Sequence, residues 1–159
     1  LEPSAQMGQG CAAVIAREGA GGRCNLLQST LQDAGPLADT PFAVVICHHV
    51  LHLMPPAQQR PLLRQLCAQV APGGQLLLSS FSEPAEALQL ETNLVIARCR
   101  LRQLGMDEDT LRLFMAGRNT VVFSLAEALL AEELVQAGLE PPQLLVQALS
   151  NRLWLSRRP

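Results

Sequence analysis

The stretch that decides the fold is residues 42–81, which read FAVVICHHVLHLMPPAQQRPLLRQLCAQVAPGGQLLLSSF. Phe42 to Cys47 is continuously apolar and partly β-branched, a pattern typical of a central parallel strand buried on both faces. Pro56 to Val70 is predicted to be an amphipathic helix, because its leucines recur at helical spacing. Pro72-Gly73-Gly74 is expected to end this helix, and Gln75 to Ser80 is expected to form the next strand. This strand, helix and strand indicate an α/β fold.

The residues before this stretch predict a helix and a short strand. Ala5 to Glu18 has helical periodicity, and several glycines follow it. Cys24 to Leu27 is a candidate for a short strand. A polar turn is expected to follow between Ser29 and Asp33.

The residues after this stretch predict a helical insert, a further helix and a closing hairpin. Residues 84–119 are helical in character, and Ala126 to Gln136 is the next predicted helix. Gln143 to Leu149 and Arg152 to Ser156 are predicted strands. Ser150-Asn151 is expected to be the tight turn between them, which makes this last pair antiparallel.

Composition limits the classes of function. The chain has 159 residues, of which 48% are hydrophobic and 16% charged, and this is typical of one globular domain. The formal net charge is -2, so a basic surface for duplex nucleic acid is not expected. No apolar run reaches the ~20 residues that span a bilayer. Five cysteines without a CxxC pair predict reduced, mostly buried thiols in a cytoplasm, and the lack of Lys indicates a GC-rich, bacterial coding sequence.

Residues 42–81 resemble the fourth strand, following helix and fifth strand of class I S-adenosylmethionine-dependent methyltransferases. The apolar strand, the His-His-Val-Leu-His-Leu exit and the Pro-Gly-Gly turn share one register with that family. Residues 1–7 resemble the end of its second strand, and residues 134–142 resemble the Ala-Gly turn after its late helix. The resemblance implies a Rossmann-like, mostly parallel sheet with an antiparallel C-terminal edge hairpin. It also implies one partial domain, 1–159, with a helical lid insert at 84–119 and with the first strand and the Gly-rich loop missing.

The resemblance implies a binding site for S-adenosylmethionine. Glu2 corresponds to the acid that takes both ribose hydroxyls of the cofactor, and a carboxylate can accept two hydrogen bonds from a diol. Cys47 and His48 leave a strand at its C-terminal end, where open α/β sheets bind ligands. A solvated terminus at Glu2 and a core position for Met7 remain alternatives. The expected cofactor-binding residues are Glu2, Ser4, Met7, Ser29, Thr30, Leu31, Cys47 and His48.

The acceptor of the methyl group is expected to contact His49, His52 and Arg118. A histidine of this group is interpreted as a general base or a substrate anchor, with a packed or surface histidine as the alternative. Arg118 lies near the end of the insert, where a guanidinium could clamp a carboxylate. No metal site is expected, because no acidic residue or cysteine joins the histidines at ligand spacing. No catalytic residue is assigned, since methyl transfer from a sulfonium needs mainly alignment and exclusion of water.

Two hypotheses of function remain open. The first is an enzyme that transfers a methyl group from S-adenosylmethionine to a small molecule, alone or within a larger multidomain parent. The second is a degenerate methyltransferase-like module that serves protein interaction. Ala43 and Ser29-Thr30 favour the second, because the family commonly has Asp and Gly-Asp at these positions. An open sheet edge is also compatible with a homodimer, and no membrane partner is expected.

Overall fold

The chain forms two units in the computed structural model, which describes residues 1–34, Leu37 and 41–159. The first unit is Leu1–Asp39 and the second is Thr40–Pro159. The prediction of one partial domain over residues 1–159 stays a prediction.

The first unit contains α1, Ala5–Arg17, in agreement with the predicted helix. Ser4 begins it as the N-cap, because its Oγ accepts a hydrogen bond from the Met7 N–H at 3.3 Å. Gly19 follows the helix in the left-handed conformation, with φ of 62°, which a residue without a Cβ adopts at little cost. Both ends of the helix are therefore set by neighbouring residues, the polar N-cap Ser4 and the glycine Gly19.

The predicted strand Cys24–Leu27 is wrong, since these residues form no strand. The Leu27 carbonyl accepts a backbone hydrogen bond from the Glu2 N–H at 3.0 Å. A strand needs a ladder of such bonds to a neighbouring strand, and this single bond does not make one.

The second unit confirms the predicted order of elements. The hairpin turn is at Leu149-Ser150, one residue earlier than predicted, because Leu149 adopts the left-handed conformation with φ of 56° and Asn151 already pairs in the sheet. The elements are β1 (Phe42–His48), a 3₁₀ helix (Leu51–Leu53), α2 (Pro56–Ala68), β2 (Val70–Phe81), α3 (Ala87–Gln103), α4 (Glu108–Ala116), α5 (Glu127–Gln136), β3 (Gln143–Ala148) and β4 (Asn151–Arg157).

Within the described residues, the sheet has four strands in the order β1-β2-β4-β3. β1 and β2 are parallel, as predicted from the helix that connects them. β4 is antiparallel to both β2 and β3. The described sheet is therefore mixed rather than mostly parallel. The pairings of β2 with β4 and of β4 with β3 are antiparallel, and both involve the closing hairpin.

The prediction that Phe42–Cys47 is a central strand buried on both faces is wrong. β1 lies at an edge of the described sheet, and Val44 and Ile46 are 51% and 68% exposed. The central strand is β2, where Leu78, Ser79 and Ser80 are buried in succession and so on both faces. Apolar β-branched residues form strands at edges as well as centres, so the sequence pattern did not separate the two positions.

The core of the second unit joins α2 and α5 to the sheet. α2 contacts both α5 and β2. Its buried face is leucine-rich, as the helical periodicity predicted. The fully buried apolar side chains include Leu51, Leu63, Val70, Leu76, Leu78, Leu125, Leu130 and Leu134.

Among the described residues, no helix combines the length and the hydropathy needed to cross a bilayer.

The prediction of mostly buried thiols is wrong, because only Cys47 and Cys67 of the five cysteines are buried. Burial raises the pKa of each of these two thiols to about 11. Both are therefore protonated at neutral pH and are not nucleophiles.

A buried carboxylate links α2 to α5. The side chain of Glu133 is 1% exposed, and Arg64 Nε donates a hydrogen bond to its Oε2 at 2.6 Å. Arg60 pairs with the other oxygen, Oε1. The hydrogen bond from Arg64 holds the pKa of Glu133 below its ordinary value, and the charges of both arginines add to this effect. An unpaired carboxylate at this position would be costly, so the two arginines fix how the helices dock.

The Pro-Gly-Gly motif does not separate a helix from a strand but lies inside β2. A Cβ at Gly74 would lie 2.8 Å from the Ala71 carbonyl oxygen and 2.9 Å from the Ala43 carbonyl oxygen. Only glycine therefore allows this close approach of the β1 and β2 backbones. The register between the two strands shifts at this point, between Phe42 and Val44.

Replacing Glu133 by glutamine is expected to lower the free energy of unfolding by about 1 to 2 kcal/mol at neutral pH, a value reduced because both arginines are partly exposed. The pKa of Glu133 is lowered in the folded state, so its contribution is present at neutral pH and is lost as the pH falls below 4.5 through the folded pKa. Denaturant unfolding of both proteins between neutral and acidic pH measures this.

The matched control is Glu132→Gln. Glu132 is the neighbouring residue, is half-exposed, and pairs with Arg60 at 3.2 Å. The Glu132→Gln change is expected to lower the free energy of unfolding by less than about 1 kcal/mol. Equal costs for the two variants would contradict a special role for the buried carboxylate.

Gly74→Ala is expected to lower the free energy of unfolding by about 2 kcal/mol, because the new methyl group meets backbone oxygens that cannot move independently. Gly73→Ala is the comparison, since Gly73 has open space around it but a φ of 73°. Its expected cost is about 1 kcal/mol, from the left-handed backbone alone. Denaturant unfolding tests both, and a Gly74→Ala protein as stable as the wild type would contradict the close approach.

Candidate functional site

The C-terminal end of β1 carries a histidine that contacts the neighbouring strand. His48 is exposed, and its Nδ1 lies 2.5 Å from the Oγ of Ser79 in β2. The His49 N–H donates to the Ser79 carbonyl oxygen at 3.0 Å, and His49 has φ of 53°. This left-handed residue turns the chain out of the sheet directly after His48. Strained backbone of this kind is common at functional sites.

His52 is fixed by the backbone of β2. The Phe81 N–H donates to His52 Nδ1 at 3.3 Å, and Ser80 Oγ lies 3.4 Å from the same nitrogen. The His52 carbonyl oxygen accepts from the Phe123 N–H at 2.7 Å. Because Nδ1 accepts a hydrogen bond, a neutral His52 carries its proton on Nε2. The ring then offers a donor and has no free lone pair to act as a base.

The electrostatics of the histidine group favour neutral rings. Burial lowers the pKa of His52 from its ordinary value of 6.5, and the charge of His49 lowers it further. Burial and the charge of His48 lower the pKa of His49 in the same way. Protonation of either ring would therefore destabilise the fold, so both are neutral at pH 7.

A cavity of about 490 Å³ lies beside His52, lined mainly by apolar side chains of α3, α4 and the segment that follows α4. Phe81 at the end of β2 and the β3–β4 turn complete the lining. Its volume is in the range of small-molecule sites. The apolar lining includes Leu94, Ala97, Leu101, Leu113, Phe114 and Val121.

Two polar residues of this cavity differ in what they offer a ligand. Arg118 Nε donates to Glu83 Oε1 at 2.6 Å, so its charge is already neutralised. Asn93 Nδ2 is shielded from solvent and has no hydrogen-bond partner among the described residues. A buried amide N–H without a partner is unusual in a folded protein.

In the first unit, Glu2 and Ser4 form part of the turn that begins α1. The Ser4 N–H donates to Glu2 Oε1 at 2.9 Å, which leaves the second carboxylate oxygen for other donors. Met7 is 60% exposed, so the alternative of a core position for this residue is wrong.

Ser29, Thr30 and Leu31 lie in the predicted polar turn, which the structure confirms. Thr30 Oγ1 donates to Asp33 Oδ2 at 2.6 Å, and the Asp33 N–H donates back to Thr30 Oγ1 at 3.2 Å.

In the second unit, Cys47 is buried within the sheet while the adjacent His48 is exposed.

The structure brings together two of the residues predicted for the acceptor, since His52 and Arg118 line the same cavity. His49 lies near them in sequence and stacks edge-on against His52, with ring centroids 5.2 Å apart. Sequence reasoning missed Asn93. Its spacing at i, i+4 and i+8 with Ala97 and Leu101 places it on the face of α3 that lines the cavity. Within the described residues, no group of three metal-ligating side chains converges.

Comparison with known proteins relates the fold of this chain to that of methyltransferases. The family model described as a methyltransferase domain matches residues 1–78. No curated protein matches the chain. An O-methyltransferase family protein from Burkholderia thailandensis is similar in structure, with a TM-score of 0.64 and 19% identity over 94% of this chain and 40% of that one. Mitomycin 7-O-methyltransferase has a TM-score of 0.64 and 17% identity over 98% of this chain and 40% of its own.

Magnesium protoporphyrin IX methyltransferase from Synechocystis PCC 6803, solved with bound S-adenosylmethionine, is also similar, with a TM-score of 0.59 and 14% identity over 99% of this chain and 57% of that one. At these identities the likeness concerns the fold. The fold is part of a Rossmann-like methyltransferase fold, and the chain spans about 40% of the length of the first two structures. Residues 1–78 belong to the methyltransferase-domain family.

His52 is expected to titrate below pH 6.5 and to carry its proton on Nε2, because Phe81 donates to Nδ1 and burial disfavours the charged ring. Nitrogen-detected NMR of the histidine rings across a pH series measures both properties. Ser80→Ala is the control, since it removes the nearby hydroxyl but keeps the backbone donor. A proton on Nδ1, or titration above pH 6.5, would contradict this geometry.

Proposed function

We propose that the protein transfers a methyl group from S-adenosylmethionine to a small-molecule acceptor. The observation that carries this proposal is the match of residues 1–78 to the methyltransferase-domain family. Similarity of fold to a structure solved with bound S-adenosylmethionine supports the choice of cofactor. The activity would require alignment of acceptor, methyl group and sulfur, with water excluded.

The proposed cofactor-binding residues lie in both units, and each set has its own support. In the first unit, Glu2 retains a carboxylate oxygen that can accept a hydrogen bond from a ribose hydroxyl. The Ser4 N–H donates to the other oxygen and so fixes the orientation of the carboxylate. In the second unit, His48 is exposed at the C-terminal end of a parallel strand, the usual ligand position of such sheets. Cys47 contributes to the cofactor site through its backbone, since its side chain is buried. The remaining proposed contacts are Met7, Ser29, Thr30 and Leu31.

The proposed acceptor site is the cavity between α3, α4 and the histidine group. His52 acts as an anchor that donates from Nε2 rather than as a general base, because its other nitrogen already accepts a hydrogen bond. Arg118 acts through its ion pair with Glu83, which holds the segment after α4 against the end of β2. The proposed lid is the helical insert at residues 84–119.

The alternative function is a protein-interaction module that no longer binds the cofactor. Ala43 supports it, because this position commonly carries Asp in the family and alanine offers no hydrogen bond. The exposed apolar residues Val44 and Ile46 on the edge strand are also compatible with a protein partner. Cofactor binding separates the two functions.

Calorimetric titration with S-adenosylhomocysteine tests the proposed function in the full-length protein. Binding is expected, and Glu2→Gln is expected to weaken it about tenfold, because an amide is a poorer acceptor than a carboxylate for the ribose diol. Glu18→Gln is the matched control, since Glu18 is an exposed acid of the same unit, paired with Arg17. No heat at millimolar ligand would contradict the enzyme and favour the interaction module.

A further inference from the structure

The cavity beside His52 has an unbalanced positive charge in its lining. Two of its lining side chains are arginines, Arg100 and Arg118, and within the described part of the chain no aspartate or glutamate lines it. Arg118 is neutralised, because its Nε donates to Glu83 Oε1 at 2.6 Å and the two side chains are 28% and 13% exposed. A ligand carboxylate would have to displace Glu83 from this largely buried pair. The expectation from sequence that Arg118 clamps a carboxylate is therefore not supported by its contacts.

Arg100 is the lining arginine whose charge is not balanced by a neighbouring acid among the described residues. Its partner there is the neutral Gln103, to which its Nη1 donates a long hydrogen bond of 3.4 Å. The helix directs Arg100 to this cavity, since Asn93, Ala97 and Arg100 are spaced at i, i+4 and i+7 and all three line it. Arg98 of the same helix lines a separate cavity against α4 instead.

We propose that this cavity binds a small molecule with an apolar ring system and one carboxylate, which pairs with Arg100. The walls that take the ring are apolar, with Leu101, Phe114 and Val121 among them, and the volume is about 490 Å³. Because Arg100 is exposed, the carboxylate stays partly hydrated at the margin of the cavity while the ring is buried. This arrangement limits the cost of desolvating the charge and gives the planar guanidinium an acceptor of matching geometry.

The inference rests on the proposed function for calling the ligand a methyl acceptor, but the charge preference is a property of binding alone. Three naphthalenes of different charge test it by direct binding to the full chain at neutral pH, without cofactor. They are 2-naphthoate, an anion, its methyl ester, which is neutral, and 2-naphthylmethylamine, which is a cation at this pH.

We expect 2-naphthoate to bind about fivefold tighter than its methyl ester, as one partly exposed ion pair predicts, and the amine to bind more weakly than the ester. Raising the salt concentration from about 0.05 M to about 0.5 M is expected to reduce the preference for the anion, because an exposed pair is screened. If 2-naphthoate binds no tighter than its ester, or more weakly than the amine, the inference is overturned.

Variants assign the preference to one guanidinium. Arg100→Gln is expected to weaken 2-naphthoate about fivefold and to leave the ester unchanged, because it removes the charge and keeps a polar side chain. Arg98→Gln is the matched control and is expected to keep the preference, since it removes the same charge from an exposed arginine of α3 that does not line this cavity. Arg100→Lys retains the charge and is expected to keep most of the preference. An unchanged preference in Arg100→Gln, or an equal loss in Arg98→Gln, would refute the role of Arg100.

The outcome is distinguishable from a failure of the proposed function. If S-adenosylhomocysteine does not bind but the preference for the anion and its dependence on Arg100 are observed, the cavity inference stands and methyl transfer fails. If the cofactor product binds while 2-naphthoate and its ester do not differ, methyl transfer stands and the ligand class is wrong.

Discussion

The parallel pairing of β1 with β2 is the constraint on which the second unit depends. It needs Gly74, because a Cβ there would lie 2.8 Å from the Ala71 carbonyl oxygen and 2.9 Å from that of Ala43. From this pairing the register runs to His48 opposite Ser79, so the end of β1 and the end of β2 meet. The left-handed turn at His49 and the hydrogen bond from Phe81 to His52 follow from it. The strand pair thereby sets the tautomer of a histidine beside the cavity.

The ion pairs in the core and at the cavity have different consequences. Glu133 is buried and needs both Arg60 and Arg64, which belong to another helix, so this ion pair acts as a specific tie between α2 and α5. At the cavity, the pair of Arg118 with Glu83 removes a cation from the site. The rest of the lining is mainly apolar, with Arg100, Asn93 and His52 among its polar members.

The sequence predicted the elements of the second unit well, because apolar periodicity and Pro or Gly punctuation are local signals. It did not predict that β1 lies at the edge of the described sheet, since the position of a strand depends on which other strands pair with it. It misread Pro72-Gly73-Gly74 as a helix stop, because the requirement at Gly74 comes in part from the Ala43 carbonyl oxygen of β1, which is distant in sequence. Of the residues predicted from sequence to contact the acceptor, His52 and Arg118 line the cavity. Their roles depended on Phe81 and Glu83, and these contacts have no local sequence pattern.

The proposed function depends on binding of the cofactor of methyl transfer by this chain. Amide NMR of the isotopically labelled protein, followed during addition of S-adenosylhomocysteine, tests it most directly because it reports each residue separately. Cofactor binding is expected to change the amide signals of Ser29 to Leu31 in the first unit and of His48 in the second, and to leave the amides of α5 unchanged. No change at millimolar ligand, or changes confined to residues outside both sets, would contradict it.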